Sequence, residues 1–281
     1  MSFNFTDLPM GKNTLVVDAL NLAFRWKHQG KKEFITEYAT TVKSFATSYN
    51  CNKIIITADQ GSSSYRKQIL PSYKQNRKEK YAQQTEQEAL DFKEFFLEYE
   101  RTLSHLSNLY TVLQYPGVEA DDLAAYLVKY KDKYDFGRMI LISSDKDWDL
   151  LVQEDVMRFS YVTRKEITLQ NWYDHYEVDR EQYACFKCLT GDKGDNIPGF
   201  TGVGPKRAKD LLMEYGSAYN IYDSVPINSK YKYMQEINEN PEKILRNYEL
   251  MDLLTHCEDA IGYSLPDLEE KLNGSISTIY T

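Results

Sequence analysis

The stretch "GVEADDLAAYL", residues 117–127, places Glu119, Asp121 and Asp122 within four positions. Leu123, Ala124, Leu127 and Val128 follow at helical spacing, and acids in a first helical turn are favoured by free N–H groups and the helix dipole. Capping accounts for one or two of the three. A third adds like-charge repulsion, up to about 4 kcal/mol for charges ~4 Å apart at an effective dielectric of 20. Other acids stand at the ends of apolar runs: Asp18 closes "TLVVD", Asp59 closes "KIIITAD", and Asp145 closes "RMILISSD", with Asp147 two residues on. Singly, each reads as a turn or cap residue. Jointly they share one end of their strands, which independent caps do not explain.

The elements that must position these acids are short buried strands at 14–18, 53–59 and 138–145, with a weaker one at 156–163. Helix-like segments run over roughly 33–49, 86–109 and 120–131. Strand alternating with helix predicts an α/β fold, a mostly parallel central sheet flanked by helices. In such a sheet the carboxyl ends of the strands lie on one edge, where ligands bind. Lys146 is the one basic residue inside these acidic motifs, so the accumulated charge calls for cations. Oxygen-only donors point to Mg²⁺ or Mn²⁺. Two such ions beside a basic strip suit phosphodiester hydrolysis. No Ser or Cys nucleophile with a His–acid arrangement is evident, and there is no G-x-x-x-x-G-K-[ST] loop.

The formal net charge of −8 over 281 residues argues superficially against a nucleic-acid partner. Local counting reverses this: between Gly61 and Lys80 six basic residues (Arg66, Lys67, Lys74, Arg77, Lys78, Lys80) face one acid, Glu79. Lys206, Arg207 and Lys209 form a smaller basic group. Segregated positive surface is what phosphate binding requires, although a solvated face has the same composition. The segment Lys74–Glu88 carries little apolar surface and reads as a charged, movable cap. It leads into a fixed helix with a stripe of Phe92, Phe96, Tyr99, Leu103 and Leu106. Beyond about Thr168 helices and loops are expected, with no strand. Cys185 and Cys188 lie one helical turn apart and read as core thiols, since a zinc site would need a second nearby pair. With no long apolar run and no basic, apolar leader in "MSFNFTDLPMGKN", a cytoplasmic protein is expected.

The blocks "VVDALNLAFR", "LPSYKQNRKEKY", "GVEADDLAAYL", "SSDKDWDLL" and "TGDKGDNIPGFTGVGPKRA" together resemble, in order over roughly residues 13–215, the flap endonucleases (5′ nucleases) of bacteriophage and bacterial type. The resemblance implies a nuclease core over 1–167 with a helical arch at about 74–95. It also implies a helical part over 168–281, packed on the core, with a helix-hairpin-helix element at about 190–216. One metal would be held through Asp18, Asp59, Glu119, Asp121 and Asp122, the other through Asp145, Asp147, Asp192 and Asp195, with the division left open by the sequence. Lys74 and Arg77 would contact the scissile phosphate, with Tyr73 stacking on a base. Arg25, Lys27, Arg66, Lys78 and Lys80 would add DNA contacts in the core and arch. Gly202, Gly204, Lys206 and Arg207 would touch duplex backbone, with K⁺ as a candidate ion there.

The implied protein is a monomer that cuts DNA with 5′ flaps or single-strand/duplex junctions in replication or repair. It would leave a 5′-phosphate and a 3′-hydroxyl, work inside a bacterium or phage-infected bacterium, and have no membrane contact. A PIN-like ribonuclease shares the acid-lined core, and a catalytically silent junction binder shares the basic surface. The second acid pair, Asp192 and Asp195, speaks against the first and the complete set of candidate ligands against the second.

Overall fold

In a computed structural model, residues 13–277 are described, with side chains through Gly274; the N-terminal stretch read for a leader lies outside them. The first half runs β1 (Asn13–Asp18), α1 (Ala19–His28), α2 (Ile35–Ser48), β2 (Lys53–Ala58), α3 (Ser64–Ile69), α4 (Gln75–Ala82), α5 (Glu86–Ser107), β3 (Thr111–Gln114), α6 (Ala120–Lys129) and β4 (Arg138–Ile142). A 3₁₀ turn, Lys146–Leu151, leads to β5 (Val156–Ser160) and β6 (Lys165–Ile167). Then come α7 (Tyr183–Thr190), β7 (Gly191–Asp192), β8 (Ile197–Pro198), α8 (Pro205–Tyr215), α9 (Ala218–Asp223), α10 (Lys232–Glu239), α11 (Glu242–Met251), α12 (Leu253–Ile261) and α13 (Leu265–Ser277).

The main sheet has the order β3-β2-β1-β4-β5-β6, parallel except for β6. The chain winds outward from β1 to β3 and then returns to the other side of β1 as β4. The carboxyl ends of β1 and β4 therefore border the point where winding reverses, the place at which an open parallel sheet leaves a crevice. Alternation along the strands divides the core: Val16, Ile55 and Leu141 face one apolar cluster, and Leu15, Val17, Ile56 and Ile142 face the other. The first cluster continues without a break through α7, α8 and the later helices to Leu268 and Leu272. The helical part thus packs on one face of the sheet and shares its core. Cys185 and Cys188 are buried free thiols within it.

Several boundaries differ from those expected. The strand foreseen at 138–145 stops at Ile142, so Asp145 heads the 3₁₀ turn instead of closing a strand. The stripe of α5 passes through Phe95, which is buried, while Phe92 and Phe96 are only half-buried. A strand pair exists where none was expected: β7 and β8 form a two-residue antiparallel ladder. Glycine makes it feasible, because a Cβ at Gly191 would lie 2.2 Å from the Gly199 nitrogen, and one at Gly199 2.2 Å from the Thr190 carbonyl oxygen. Asp192 ends β7, and the turn that leads to β8 carries Asp195.

Candidate active site

Asp18, at the end of β1, caps α1 through Asn21 N–H at 3.1 Å and accepts from Ser143 Oγ at 2.7 Å. Ser143 lies beyond β4, so this contact stitches the two central strands across the crevice. Asp59, just past β2, accepts from the Ala120 backbone N–H at 2.7 Å and so fixes the start of α6. Asp121 accepts from Trp148 Nε1 at 2.6 Å, which ties α6 to the 3₁₀ turn. Asp145 accepts from the Asp147 N–H at 3.0 Å. Four acids from four chain segments thereby meet at one edge of the sheet.

These four differ sharply from their neighbours in charge balance. Among the described residues, none of Asp18, Asp59, Asp121 and Asp145 has a lysine or arginine within ion-pair distance. Burial, reinforced by Asp59 and Asp145, raises Asp18 to about 8. Burial and Glu119 raise Asp59 to about 6, and burial and Asp147 raise Asp145 to about 6. Asp121 is raised as well, by burial and then by Asp145.

On the outer side the acids hold cations. Glu119 receives Lys74 Nζ at 2.7 Å and the Tyr73 hydroxyl at 2.8 Å. Asp195 receives Arg77 at 2.6 Å and the Tyr73 hydroxyl at 2.9 Å. Burial opposes ionisation of Glu119, but Lys74 and Arg66 outweigh it and hold its carboxyl below the usual range. Lys74 in turn is raised, because Glu119, Asp195 and Asp121 outweigh its burial. Asp195 remains raised, burial exceeding the help from Lys74 and Arg77.

Lys187, on α7, is the residue that sequence reading missed. Its ammonium bridges Asp147 and Asp192, lying 3.1 Å from the latter, and it lowers Asp192 despite that group's burial. Although Lys146 is the one basic residue inside the acidic motifs, the outer acids are neutralised from elsewhere in the chain, by Lys74, Arg77 and Lys187. The available signal was a lysine five residues before Asp192 on a helix otherwise apolar at that position.

Three further expectations are corrected. Arg66 is not an exposed phosphate contact, and Asp122 does not face the acid pocket. Arg66 is 3% exposed and Asp122 0% exposed. They form a two-point ion pair at 2.9 and 2.7 Å, and Arg66 Nε also donates to the Leu250 carbonyl at 3.1 Å. At helical spacing Asp122 turns from the side that Asp121 faces, and Arg66 neutralises it beneath the site. Tyr73 does not offer its ring for stacking, being 3% exposed with its hydroxyl spanning Glu119 and Asp195.

Lys74 precedes α4 in the left-handed backbone region at φ 55°, so Lys74 and Arg77 do not share one helical face. They converge because the Lys74 N–H donates to the Asp195 carbonyl at 2.9 Å, which pins the turn to the β7–β8 loop. Helix α4 buries none of its residues, and Lys78 and Lys80 are exposed along it. Lys27 lies 4.2 Å over Phe92 and so ties α1 to α5. Arg25 is half-buried beside Trp26.

Gly204 precedes α8, whose first residue is Pro205, and Lys206 is exposed there. Gly202 adopts φ 81°, and its carbonyl accepts from Arg207, whose guanidinium also lies 4.8 Å over Tyr233. Among the described residues no three acidic, histidine or cysteine side chains form a ready cation cage. The oxygen-only donor set and the proton-avid inner carboxylates nonetheless fit a hard divalent ion, whose charge would replace the protons that burial favours.

Residues 13–182 match the family model described as 5′-3′ exonuclease, N-terminal resolvase-like domain, and residues 178–272 that described as 5′-3′ exonuclease, C-terminal SAM fold. A flap endonuclease of Escherichia phage T5 is 42% identical over 272 residues, covering 95% of this chain and 92% of that protein. A solved structure of T5 5′-exonuclease with bound zinc ions superposes with a TM-score of 0.89 at 40% identity, over 96% of this chain and 100% of that one. A T5 flap endonuclease pseudo-enzyme-product complex with DNA and metal ions gives 0.89 at 40% identity, over 95% and 98%.

Proposed function

The chain belongs to the 5′-3′ exonuclease family, and from that premise we propose that it is a structure-specific DNA 5′ nuclease. It cuts flaps and single-strand/duplex junctions in replication and repair, and leaves a 5′-phosphate and a 3′-hydroxyl. The observation that carries the reading is the meeting of unneutralised inner carboxylates with the Lys74–Arg77 turn at one edge of the sheet.

Asp18, Asp59, Glu119, Asp121, Asp145, Asp147, Asp192 and Asp195 are the residues that would hold two divalent cations, Mg²⁺ with Mn²⁺ as substitute. Such ions supply a Lewis acid and a source of nucleophilic water at neutral pH. Lys74 and Arg77 lie where a phosphate would displace their present carboxylate partners, and they stabilise charge that develops on it. Tyr73, through its hydroxyl, keeps Glu119 and Asp195 in register. Lys187 holds Asp147 and Asp192 together across the outer side.

The exposed α4, with Lys78 and Lys80, borders the path of the single-stranded 5′ end. The Gly202–Arg207 turn approaches duplex phosphates without reading bases, with K⁺ as its candidate ion. No described helix is long and apolar enough to cross a membrane, and the proposed setting is the cytoplasm of a bacterium or phage-infected bacterium, as a monomer.

The test is single-turnover cleavage of a 5′-labelled flap duplex in Mg²⁺, beside an EDTA control and a single-stranded RNA of matched sequence. Metal-dependent cutting near the junction with RNA spared is expected. Intact DNA that remains bound in Mg²⁺ would assign the protein to junction binding alone.

A further inference from the structure

The segment that carries Lys74 and Arg77 meets the β7–β8 loop through hydrogen bonds to main-chain carbonyls, and two asparagines make the outer ones. Asn196 Nδ2 donates to the Ser72 carbonyl at 2.7 Å, the Lys74 N–H to the Asp195 carbonyl at 2.9 Å, and Asn76 Nδ2 to the Lys193 carbonyl at 2.8 Å. The two segments run in opposite directions, so that 72, 74 and 76 meet 196, 195 and 193. Each asparagine reaches from its own segment to the other. Among the described residues Asn76 Oδ1 has no hydrogen-bond partner, so this amide meets the loop by donation alone.

The other forces at this junction are confined to one end or can be exchanged. Tyr73 and Ile197 pack with Leu250 and Met251 in a small apolar cluster. Helix α4, which starts two residues after Tyr73, buries none of its residues. The ionic contacts run from Lys74 to Glu119 at 2.7 Å and from Arg77 to Asp195 at 2.6 Å. A phosphate that takes up Lys74 and Arg77 removes them, and a cation on Glu119 and Asp195 weakens them. An amide that donates to a main-chain carbonyl has no net charge and competes with neither.

We propose that Asn76 and Asn196 are positioning residues that keep the start of α4 seated on the β7–β8 loop while Lys74 and Arg77 exchange their carboxylate partners for the scissile phosphate. The clamp holds the spacing between the cationic pair and the acids of the loop at the moment when the ion pairs that otherwise set it are released. The inference rests on the nuclease reading above, since only a phosphate at this site calls for the exchange.

The experiment measures amide hydrogen exchange over residues 73–77 in the full chain, free and bound to a flap duplex, in Ca²⁺ to suspend cleavage. Single-turnover cleavage and flap affinity are measured beside it. Asn76→Ala removes one donor and keeps a residue of high helix propensity, so α4 itself is not weakened. Asn196 holds φ 59°, and Asn196→Gly keeps that backbone open to the chain while removing the other donor. In the free protein, where the ion pairs persist, both variants should exchange within about twofold of wild type. In the DNA complex exchange should be faster by at least about tenfold. The single-turnover rate should fall by at least about tenfold and the flap affinity change by less than about twofold.

Faster exchange in the free protein and the complex alike would make the asparagines ordinary structural contacts and overturn the proposal. Wild-type protection in the complex, or a wild-type cleavage rate, in both variants would overturn it as well. Wild-type protein that fails to cut flaps in Mg²⁺ would instead overturn the nuclease reading, so the two failures are distinguishable.

Discussion

The inner and outer sides of the acid pocket are built from the same residue type and treat charge in opposite ways. Asp18, Asp59, Asp121 and Asp145 are buried without basic partners, and all four hold protons more tightly than ordinary carboxylates. Glu119, Asp147, Asp192 and Asp195 each hold a lysine or arginine supplied by another segment. In the proposed reading this difference divides the labour: the inner acids would take a divalent cation, and the outer ion pairs would release Lys74 and Arg77 to a phosphate. A third arrangement, Arg66–Asp122, removes both partners from water, and its arginine also lies 3.5 Å from Glu119.

The largest effect is expected where one inner and one outer acid are removed together. Asp145→Asn combined with Asp147→Asn should lower single-turnover cleavage by about 10⁴-fold or more, ~5.5 kcal/mol of barrier, while flap binding in Ca²⁺ survives. Retained activity would contradict the assignment of these acids to metal binding. Next is the structural pair. Arg66→Ala should destabilise the fold by roughly 3–5 kcal/mol, since it leaves Asp122 buried and unpaired. Arg77→Ala, at a half-exposed pair, should cost below about 1 kcal/mol in denaturant unfolding. Similar losses for the two variants would erase the distinction between structural and exchangeable pairs.

Lys74→Ala should slow single-turnover cleavage about a hundredfold, ~3 kcal/mol, with much less effect on binding. A rate equal to wild type would remove Lys74 from the reaction. The smallest expected effect is thermal. The inner carboxylates have folded values raised above their unfolded ones, so their stabilising contribution is present at low pH and is lost as pH rises through about 6 for Asp59 and Asp145 and about 8 for Asp18. Metal-free protein should therefore melt several degrees lower at pH 8.5 than at pH 5.5, and Mg²⁺ should flatten the slope by replacing protons. Melting curves with the same pH slope with and without Mg²⁺ would count against a cation site on the inner side.

Much of this was legible in the sequence because it depends on local rules. Strand ends such as Asp18 and Asp59, the apolar face behind "EADD", and the polarity of α4 follow from periodicity and from the edge rule of parallel sheets. Order among the five blocks supplied the family. Arg66 and Tyr73 escaped that reading because charge and aromaticity in sequence do not reveal burial. Arg66 is separated by 56 positions from the acid that neutralises it, and Tyr73 by 122 from Asp195. The spacing of "ADD" does not separate Asp121 from Asp122, because which of them faces the pocket depends on how α6 is seated against the sheet edge.

By itself the sequence determined which residues carry charge, roughly where β1, β2, β4 and β5 lie, and that acids follow the carboxyl ends of the first three, since these depend on residue type and short-range spacing. The tertiary structure decided which acids stand alone and which are neutralised. That outcome depends on Lys187 from α7, Lys74 held in a left-handed turn by the β7–β8 loop, and Arg66 buried beneath α6. Coulomb energy varies with distance and burial, and neither is a property of position along the chain.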